Sequence, residues 1–130
     1  MIVGAVNGRL EAVVEVSVSG PDGRASEVEA VIDTGFSEFL TLPPALVEEL
    51  RLPRAGEMPA LLADGTKADF SVFDATVHWD DRPRGVAVAA ADTKPLVGMS
   101  LLAGHSLFVE VHDGGRVVVE ADEQHEAPAT

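Results

Sequence analysis

Apolar and polar residues alternate along much of this chain, and that period of two constrains the fold more than any other feature. From Leu10 to Ser19, alanine, leucine and valine occupy every second position, and glutamate and serine occupy most positions between them. A shorter stretch from Glu27 to Ile32 and a longer one from Phe73 to Trp79 repeat the pattern. Because side chains two residues apart share one face of a strand, each stretch predicts a strand with one buried face.

Turn-forming residues separate these stretches at short intervals. Asn7-Gly8, after the apolar segment Ile2–Val6, predicts a two-residue hairpin, and Asp64-Gly65 predicts another hairpin between two extended arms. Residues 80–90 predict a turn, DDRPRG, followed by a strand. Residues 113–115, Asp-Gly-Gly, predict the turn of a last hairpin.

Two segments break the alternation and favour short helices. Pro43-Pro44 presets φ for a helix start and Pro53 prevents continuation, which leaves a helix of about two turns. The segment after Gly98 is compatible with a second short helix that stops at Gly104. Many short strands with one or two short helices predict an all-β fold, a small closed or folded-over β-barrel.

Size and charge limit the domain count and the classes of partner. A chain of 130 residues suits one hydrophobic core, so we expect a single domain over residues 1–120. Residues 121–130 form an acidic segment without periodicity, which we expect to be a disordered tail. There are 22 acidic against 9 basic residues, with no basic cluster, so nucleic acid is not an expected partner.

The sequence offers little for metal or cofactor chemistry. It contains no cysteine, and His78, His105, His112 and His125 form no closely spaced ligand pair, so we expect neither a metal nor a cofactor. No apolar run approaches membrane-spanning length, and residues 1–12 lack the features of a signal peptide. We therefore expect no membrane partner and a cytoplasmic location.

An acid, a hydroxyl residue and a glycine, Asp33-Thr34-Gly35, follow directly on the alternating stretch from Glu27 to Ile32. Alone, the three residues are typical of a turn that ends a strand. Their surroundings are more specific: Ser37 comes two residues after the glycine, then an Ala63-Asp64-Gly65 hairpin, then the triplet Leu96-Val97-Gly98. In this order and spacing, residues 2–120 resemble the retropepsin-like aspartic proteases, and bacterial and archaeal single-domain members most closely.

The resemblance implies a role for each matching residue. Asp33 matches the catalytic aspartate, and Thr34 matches the hydroxyl residue that braces the paired loops across the dimer axis. Gly35 matches a position where backbone must approach backbone or substrate closely, and Ser37 matches a hydroxyl that supports the carboxylate. Ala63, Asp64 and Gly65 match the tip of the flap, the hairpin that closes over a bound peptide. Leu96, Val97 and Gly98 match the strand and turn that pack beneath the catalytic loop.

The expected activity is that of an aspartic endopeptidase, with a peptide or protein as substrate. Such chemistry needs two carboxylates that share one proton, because like charges at hydrogen-bonding distance cannot both ionise. One carboxylate activates a water molecule and the other supplies a proton to the departing amine. Since the chain carries one motif, a working site requires a homodimer with Asp33 from each subunit.

Two positions depart from the family pattern. Phe36 stands where the family usually has alanine or serine, and its ring either narrows the cleft or packs inward as core. Ser100 stands where bacterial relatives often carry Asp or Asn, so the turn after Gly98 is expected to be braced differently. Two alternatives stay open: an inactive dimerisation or peptide-binding module with the same fold, and a monomer in which the motif is accidental.

Overall fold

A computed structural model describes residues 1–61 and 64–122 of the chain. It is mainly β, as the alternation predicts, with two short helices. The strands are β1 (Ile2–Val6), β2 (Ala12–Ser19), β3 (Ala25–Ile32), β4 (Leu40–Leu42), β5 (Arg54–Leu61), β6 (Lys67–Trp79), β7 (Arg82–Ala90), β8 (Leu96–Val97), β9 (His105–Val109) and β10 (Arg116–Ala121). The helices are α1 (Pro44–Glu49) and α2 (Met99–Leu102).

All ten strands belong to one hydrogen-bonded sheet, in the order β5-β6-β7-β4-β8-β3-β2-β1-β10-β9. A further pairing joins β6 to β2, so β2, β3, β8, β4, β7 and β6 close a ring. Neighbouring strands run antiparallel except β3 with β8 and β4 with β7, which are parallel. Strand β5 extends from one side of the ring as a hairpin with β6, and β1, β10 and β9 extend from β2 on the other side.

The core follows the period of two in the long strands. Alternate residues of β2 and β6 point inward, and the helices add their apolar stripes: the buried residues include Val14, Val16, Val18, Ala75, Val77, Trp79, Val47 and Leu101. Burial of each valine or leucine stabilises the fold by about 2 kcal/mol relative to exposure. Leu40 and Leu42 of β4, a strand that the sequence analysis does not predict, are fully buried in the same core.

The loop after β1 is wider than the two-residue hairpin predicted from Asn7-Gly8, so that prediction is wrong. Val6 pairs with Ala12, which leaves residues 7–11 as the connection. The Asn7 side chain explains the width, because its Oδ1 accepts the amides of Arg9 and Glu11, each at 3.0 Å. The predicted start of β2 at residue 10 moves to Ala12 for the same reason.

The turn between β6 and β7 is tighter than the predicted DDRPRG segment. Trp79 pairs with Arg82, so only Asp80 and Asp81 turn the chain, both with positive φ (53° and 66°). Such a two-residue turn matches the twist of the strands it joins. Pro83 is tolerated inside β7 because β4 pairs only with the far end of that strand, residues 88–90.

The helices begin and end where the prolines and glycines predict. Helix α1 has Pro44 in its first turn and ends well before Pro53. Helix α2 starts after Gly98 and ends before Gly104, which has a φ of 82°. Neither described helix has the length and apolar character needed to span a membrane.

The folded part continues slightly beyond the expected domain boundary at residue 120. Strand β10 includes Ala121, and the Asp122 amide donates to the Gly104 carbonyl at 2.8 Å. The rest of the expected tail, residues 123–130, lies outside the described residues.

Candidate active site

Asp33 lies immediately after β3, half-buried, at the point where the strand meets β8. Its amide donates to the Val97 carbonyl at 2.9 Å. Its carboxylate oxygen Oδ1 accepts the Gly35 amide at 2.9 Å, and its carbonyl accepts the Phe36 amide at 3.1 Å. The carboxylate is therefore held in an Asx turn whose first residue is anchored to a neighbouring strand.

Thr34 and Gly35 form the exposed tip of the loop. A Cβ atom added to Gly35 would lie 3.2 Å from Asp33 Oδ1. Apart from the two chain neighbours of Gly35, no other described residue has an atom within 4 Å of that position. The close backbone approach that the resemblance implies at Gly35 is thus not a contact of the single chain. It would have to come from a second copy or from a substrate.

Leu96 and Val97 lie beside the loop as the strand β8. They run parallel to the last residues of β3, in the register Val31 with Leu96 and Ile32 with Val97. On the other side, Val97 pairs with Leu40 of β4. The two-residue strand β8 therefore joins the segment before Asp33 to the segment after it.

Gly98 lies directly against the loop. Its amide donates to the Phe39 carbonyl at 3.0 Å. An added Cβ would overlap the Glu38 carbonyl oxygen and lie 2.6 Å from Cδ2 of Phe36. The half-buried Phe36 ring thus packs against the backbone of Gly98, and a side chain at Gly98 would displace both the ring and the loop backbone.

Helix α2 is bonded to the loop through its first residues. The Met99 amide donates to the Phe36 carbonyl at 2.7 Å, and the Ser100 amide donates to the backbone carbonyl of Glu38 at 3.2 Å. The Ser100 hydroxyl donates to the Ser37 carbonyl at 2.6 Å. Ser100 therefore supplies the brace expected after Gly98, and Ser37 enters this network through its backbone oxygen.

Two further residues, Thr41 and Arg84, support the segments around the loop, although no motif in the sequence marks them. Thr41, the one buried polar residue among the described residues, accepts the Leu96 amide on its hydroxyl at 2.9 Å. Arg84 donates to the Leu101 carbonyl at 3.2 Å and lies over the Phe39 ring at 5.6 Å. A lone hydroxyl in the apolar run FLTLPP is a signal for Thr41, whereas nothing local distinguishes Arg84.

The predicted flap is the hairpin of β5 and β6. Strand β7 pairs with β6 only from Val72 onward, so the outer end of the hairpin is a two-stranded ribbon. At its tip, Asp64 Oδ1 accepts the Thr66 hydroxyl at 2.6 Å and the Thr66 amide at 2.9 Å, which hold the pKa of Asp64 below its ordinary value. Gly65 has a φ of 88°, and Ala63 lies outside the described residues.

The structure brings one part of the predicted site together. Asp33, Ser37 and the segment Leu96–Gly98 are linked by the contacts above, whereas Asp64 and Gly65 make no hydrogen bond to them in the described part of the chain. A cleft of about 410 Å³ has Phe39 in its wall but no residue from the Asp33 loop tip. In residues 1–61 and 64–122, no group of three His, Asp or Glu is placed to hold a metal ion.

No model of a protein family matches the chain, and no curated protein is significantly similar to it in sequence. The resemblance to retropepsin-like proteases therefore depends on the motifs and their spacing.

Proposed function

We propose that this chain is a retropepsin-like aspartic endopeptidase that acts as a homodimer. The observation that carries the proposal is the position of Asp33: a half-buried carboxylate at the end of an apolar strand, in a loop bonded to β8 and α2. A catalytic group needs this kind of support, because small displacements of a reacting group cost large factors in rate.

The chemistry follows from pairing two such carboxylates. When two Asp33 side chains meet across a two-fold axis, repulsion keeps one proton between them, so that one is a base and the other an acid. The base takes a proton from water as the water oxygen attacks the peptide carbonyl. The acid ultimately supplies the proton that the amine takes when the C–N bond breaks.

The distribution of exposed apolar side chains supports a second copy as partner. The large apolar residues that the structure leaves exposed among the described residues fall in two ranges, 1–10 and 99–111: Met1, Val3, Leu10, Met99, Leu107, Phe108 and Val111. Of the two edges of the sheet, β5 has charges, Pro59 and a bulge near Gly56, whereas β9 (HSLFV) has none of these. An uncharged, regular edge strand is a natural surface for pairing with another chain.

An extended peptide is the substrate form that suits this arrangement. Met58 of β5 and Phe70 of β6 are paired and half-buried, so they share one face of the predicted flap. A peptide between this hairpin and the Asp33 loop would pair with strand backbone and place alternate side chains in pockets. Apolar side chains would match the Met58 and Phe70 face.

The decisive experiment compares Asp33→Asn with a matched Asp113→Asn control from an exposed hairpin turn. We expect the unmodified protein and the control to cleave members of a peptide library, and Asp33→Asn to be slower by about a thousandfold. Circular dichroism should show that all three proteins fold alike. Equal cleavage by Asp33→Asn and the unmodified protein would refute the catalytic assignment.

Phe36 favours one alternative, an inactive dimerisation or peptide-binding module. The Phe36 ring packs against Gly98, beside the loop that holds the carboxylate. The retropepsin-like family has a small residue at the position of Phe36. Such a module would sediment as a dimer yet show no cleavage at any pH and no affinity for a statine-type transition-state mimic. A protein that sediments strictly as a monomer at high concentration would rule out both the enzyme and this module.

A further inference from the structure

A second cleft, of about 370 Å³, lies at the turn between β6 and β7 and is separate from the Asp33 loop. Its walls include Trp79, Asp80, Arg82, Arg84 and His105. The volume falls within the range of small-molecule sites, which combine apolar walls with a few polar groups. The proposed protease function makes no use of this cleft.

Trp79 provides the first sign of a ligand. The residue is 3% exposed, and its indole Nε1 is a buried side-chain nitrogen that has no hydrogen-bond partner among the described residues. The His105 ring stands at its edge, with the ring centroids 6.0 Å apart. Buried donors are nearly always paired with an acceptor, so this N–H is available to an oxygen atom of a water molecule or of a ligand that reaches it.

The cations of the cleft provide the second sign. Only 9 of the 130 residues are Lys or Arg, and two of them, Arg82 and Arg84, line this cleft in a chain of net charge −13. Arg84 is partly engaged by its bond to the Leu101 carbonyl. Arg82 makes no hydrogen bond or ion pair to any residue in the described ranges, which leaves its guanidinium free for a ligand.

The one acid in the wall of the cleft is already paired. Asp80 forms an ion pair with the Met1 ammonium group, and its other oxygen lies 3.9 Å from His105 Nε2. The Met1 hydrogen bond keeps the pKa of Asp80 below its ordinary value. Arg82 acts on Asp80 through its charge without a hydrogen bond to it, and since Met1 already pairs with Asp80, the two arginines leave the cleft positively charged.

We propose that this cleft binds a small organic carboxylate, with the Arg82 guanidinium and the Trp79 indole N–H as its donors. Two carboxylate oxygens match the fork of an arginine and leave a lone pair for a third donor. Pro83 and Ala121, which also line the cleft, provide apolar surface for the rest of the molecule. A phosphate dianion fits less well, because the second charge is repelled by a chain of net charge −13.

The single tryptophan of the chain makes a direct test possible, because its emission reports on this cleft alone. Sodium butyrate, sodium phosphate and sodium chloride are titrated at matched ionic strength and neutral pH while Trp79 emission is recorded. We expect a saturable change with butyrate, a weaker response to phosphate and none to chloride. Tighter binding of phosphate than of butyrate would overturn the carboxylate assignment.

Two arginine variants complete the experiment. Arg82→Gln should weaken butyrate binding by about tenfold, since it removes a charged donor. Arg24→Gln, at an exposed arginine paired with Asp22 in a distant turn, should bind butyrate like the unmodified protein. Emission that does not distinguish butyrate from chloride, or equal binding by Arg82→Gln and the unmodified protein, would overturn the proposal.

Discussion

The Asp33 loop and the tip of the β5–β6 hairpin share the same local hydrogen bond and differ in everything around it. Asp33 Oδ1 accepts the amide of Gly35 at 2.9 Å, and Asp64 Oδ1 accepts the amide of Thr66 at the same distance. The Asp33 loop is also bonded to Val97 and, through Phe36, to Met99. The further bond that Asp64 makes is to the Thr66 hydroxyl in the same turn.

This comparison separates what makes a turn from what holds a carboxylate in place. An Asx turn forms wherever an aspartate can reach an amide two residues on, so it occurs at functional and ordinary sites alike. A rigid carboxylate needs bonds to elements that are distant in sequence, because these bonds resist the opening motions of a loop. Disrupting each turn separately should therefore have unequal effects.

The largest difference should come from the two glycines. Gly98→Ala places a methyl group against the Glu38 carbonyl and the Phe36 ring, although its extended backbone (φ −100°, ψ 177°) suits any residue. We expect a loss of about 3 kcal/mol in the free energy of unfolding from this overlap. Gly65→Ala meets no atom within 4 Å among the described residues beyond its two chain neighbours, so its cost comes from the positive φ and is about 1 kcal/mol. Urea unfolding measures both, and equal losses would contradict the distinction.

A smaller effect should follow loss of the Ser100 brace. Ser100→Ala removes the 2.6 Å bond to the Ser37 carbonyl and should lower the free energy of unfolding by about 1 kcal/mol. Ser100→Thr keeps a hydroxyl and serves as the matched control. If the protein is a protease, Ser100→Ala should reduce kcat with little change in KM, because the residue positions the loop without touching substrate. A normal kcat in Ser100→Ala would remove Ser100 from the positioning network.

The smallest effect should come from Thr66→Ala at the hairpin tip, and it should depend on pH. The Thr66 hydroxyl is the main cause of the lowered pKa of Asp64. The unfolded chain therefore holds the Asp64 proton more tightly than the folded protein does. The stabilisation by ionised Asp64 is fully present above pH 3.8, the ordinary pKa of the group, and is lost as the pH falls through the lower folded-state pKa. Thr66→Ala should therefore be less stable than the unmodified protein near neutral pH and closer to it in acid. A difference independent of pH would exclude this linkage.

Much of the fold could be predicted from local patterns. The period of two located the buried faces of β2 and β6, and the Pro43-Pro44 pair located the start of α1. Predictions failed where a side chain or a neighbouring strand changed the local preference. The Asn7 side chain widened a predicted hairpin, and a one-sided pairing allowed Pro83 to lie inside a strand.

The candidate site was predictable as a set of residues but not as a network. The spacing of Asp33, Ser37 and Gly98 suggested which segments belong together, and hydrogen bonds join those segments: Asp33 to Val97, and the Ser37 carbonyl to Ser100. Support of the carboxylate by the Ser37 hydroxyl stays a prediction. The support from Thr41 and Arg84 was not predictable, since their partners, Leu96 and Leu101, are distant in sequence. Such contacts depend on how the ring of strands closes.

The sequence by itself therefore determined the mainly β class, the two helix positions and the Asx turn at Asp33, because each depends on residues within a few positions of one another. Only the tertiary structure decided that the Phe36 ring packs against Gly98 and that the Ser100 hydroxyl donates to the Ser37 carbonyl. It also decided that His105 of β9 lines the same cleft as Trp79 and Arg82. These contacts arise when distant strands pair, and their geometry is set by packing that no local pattern records.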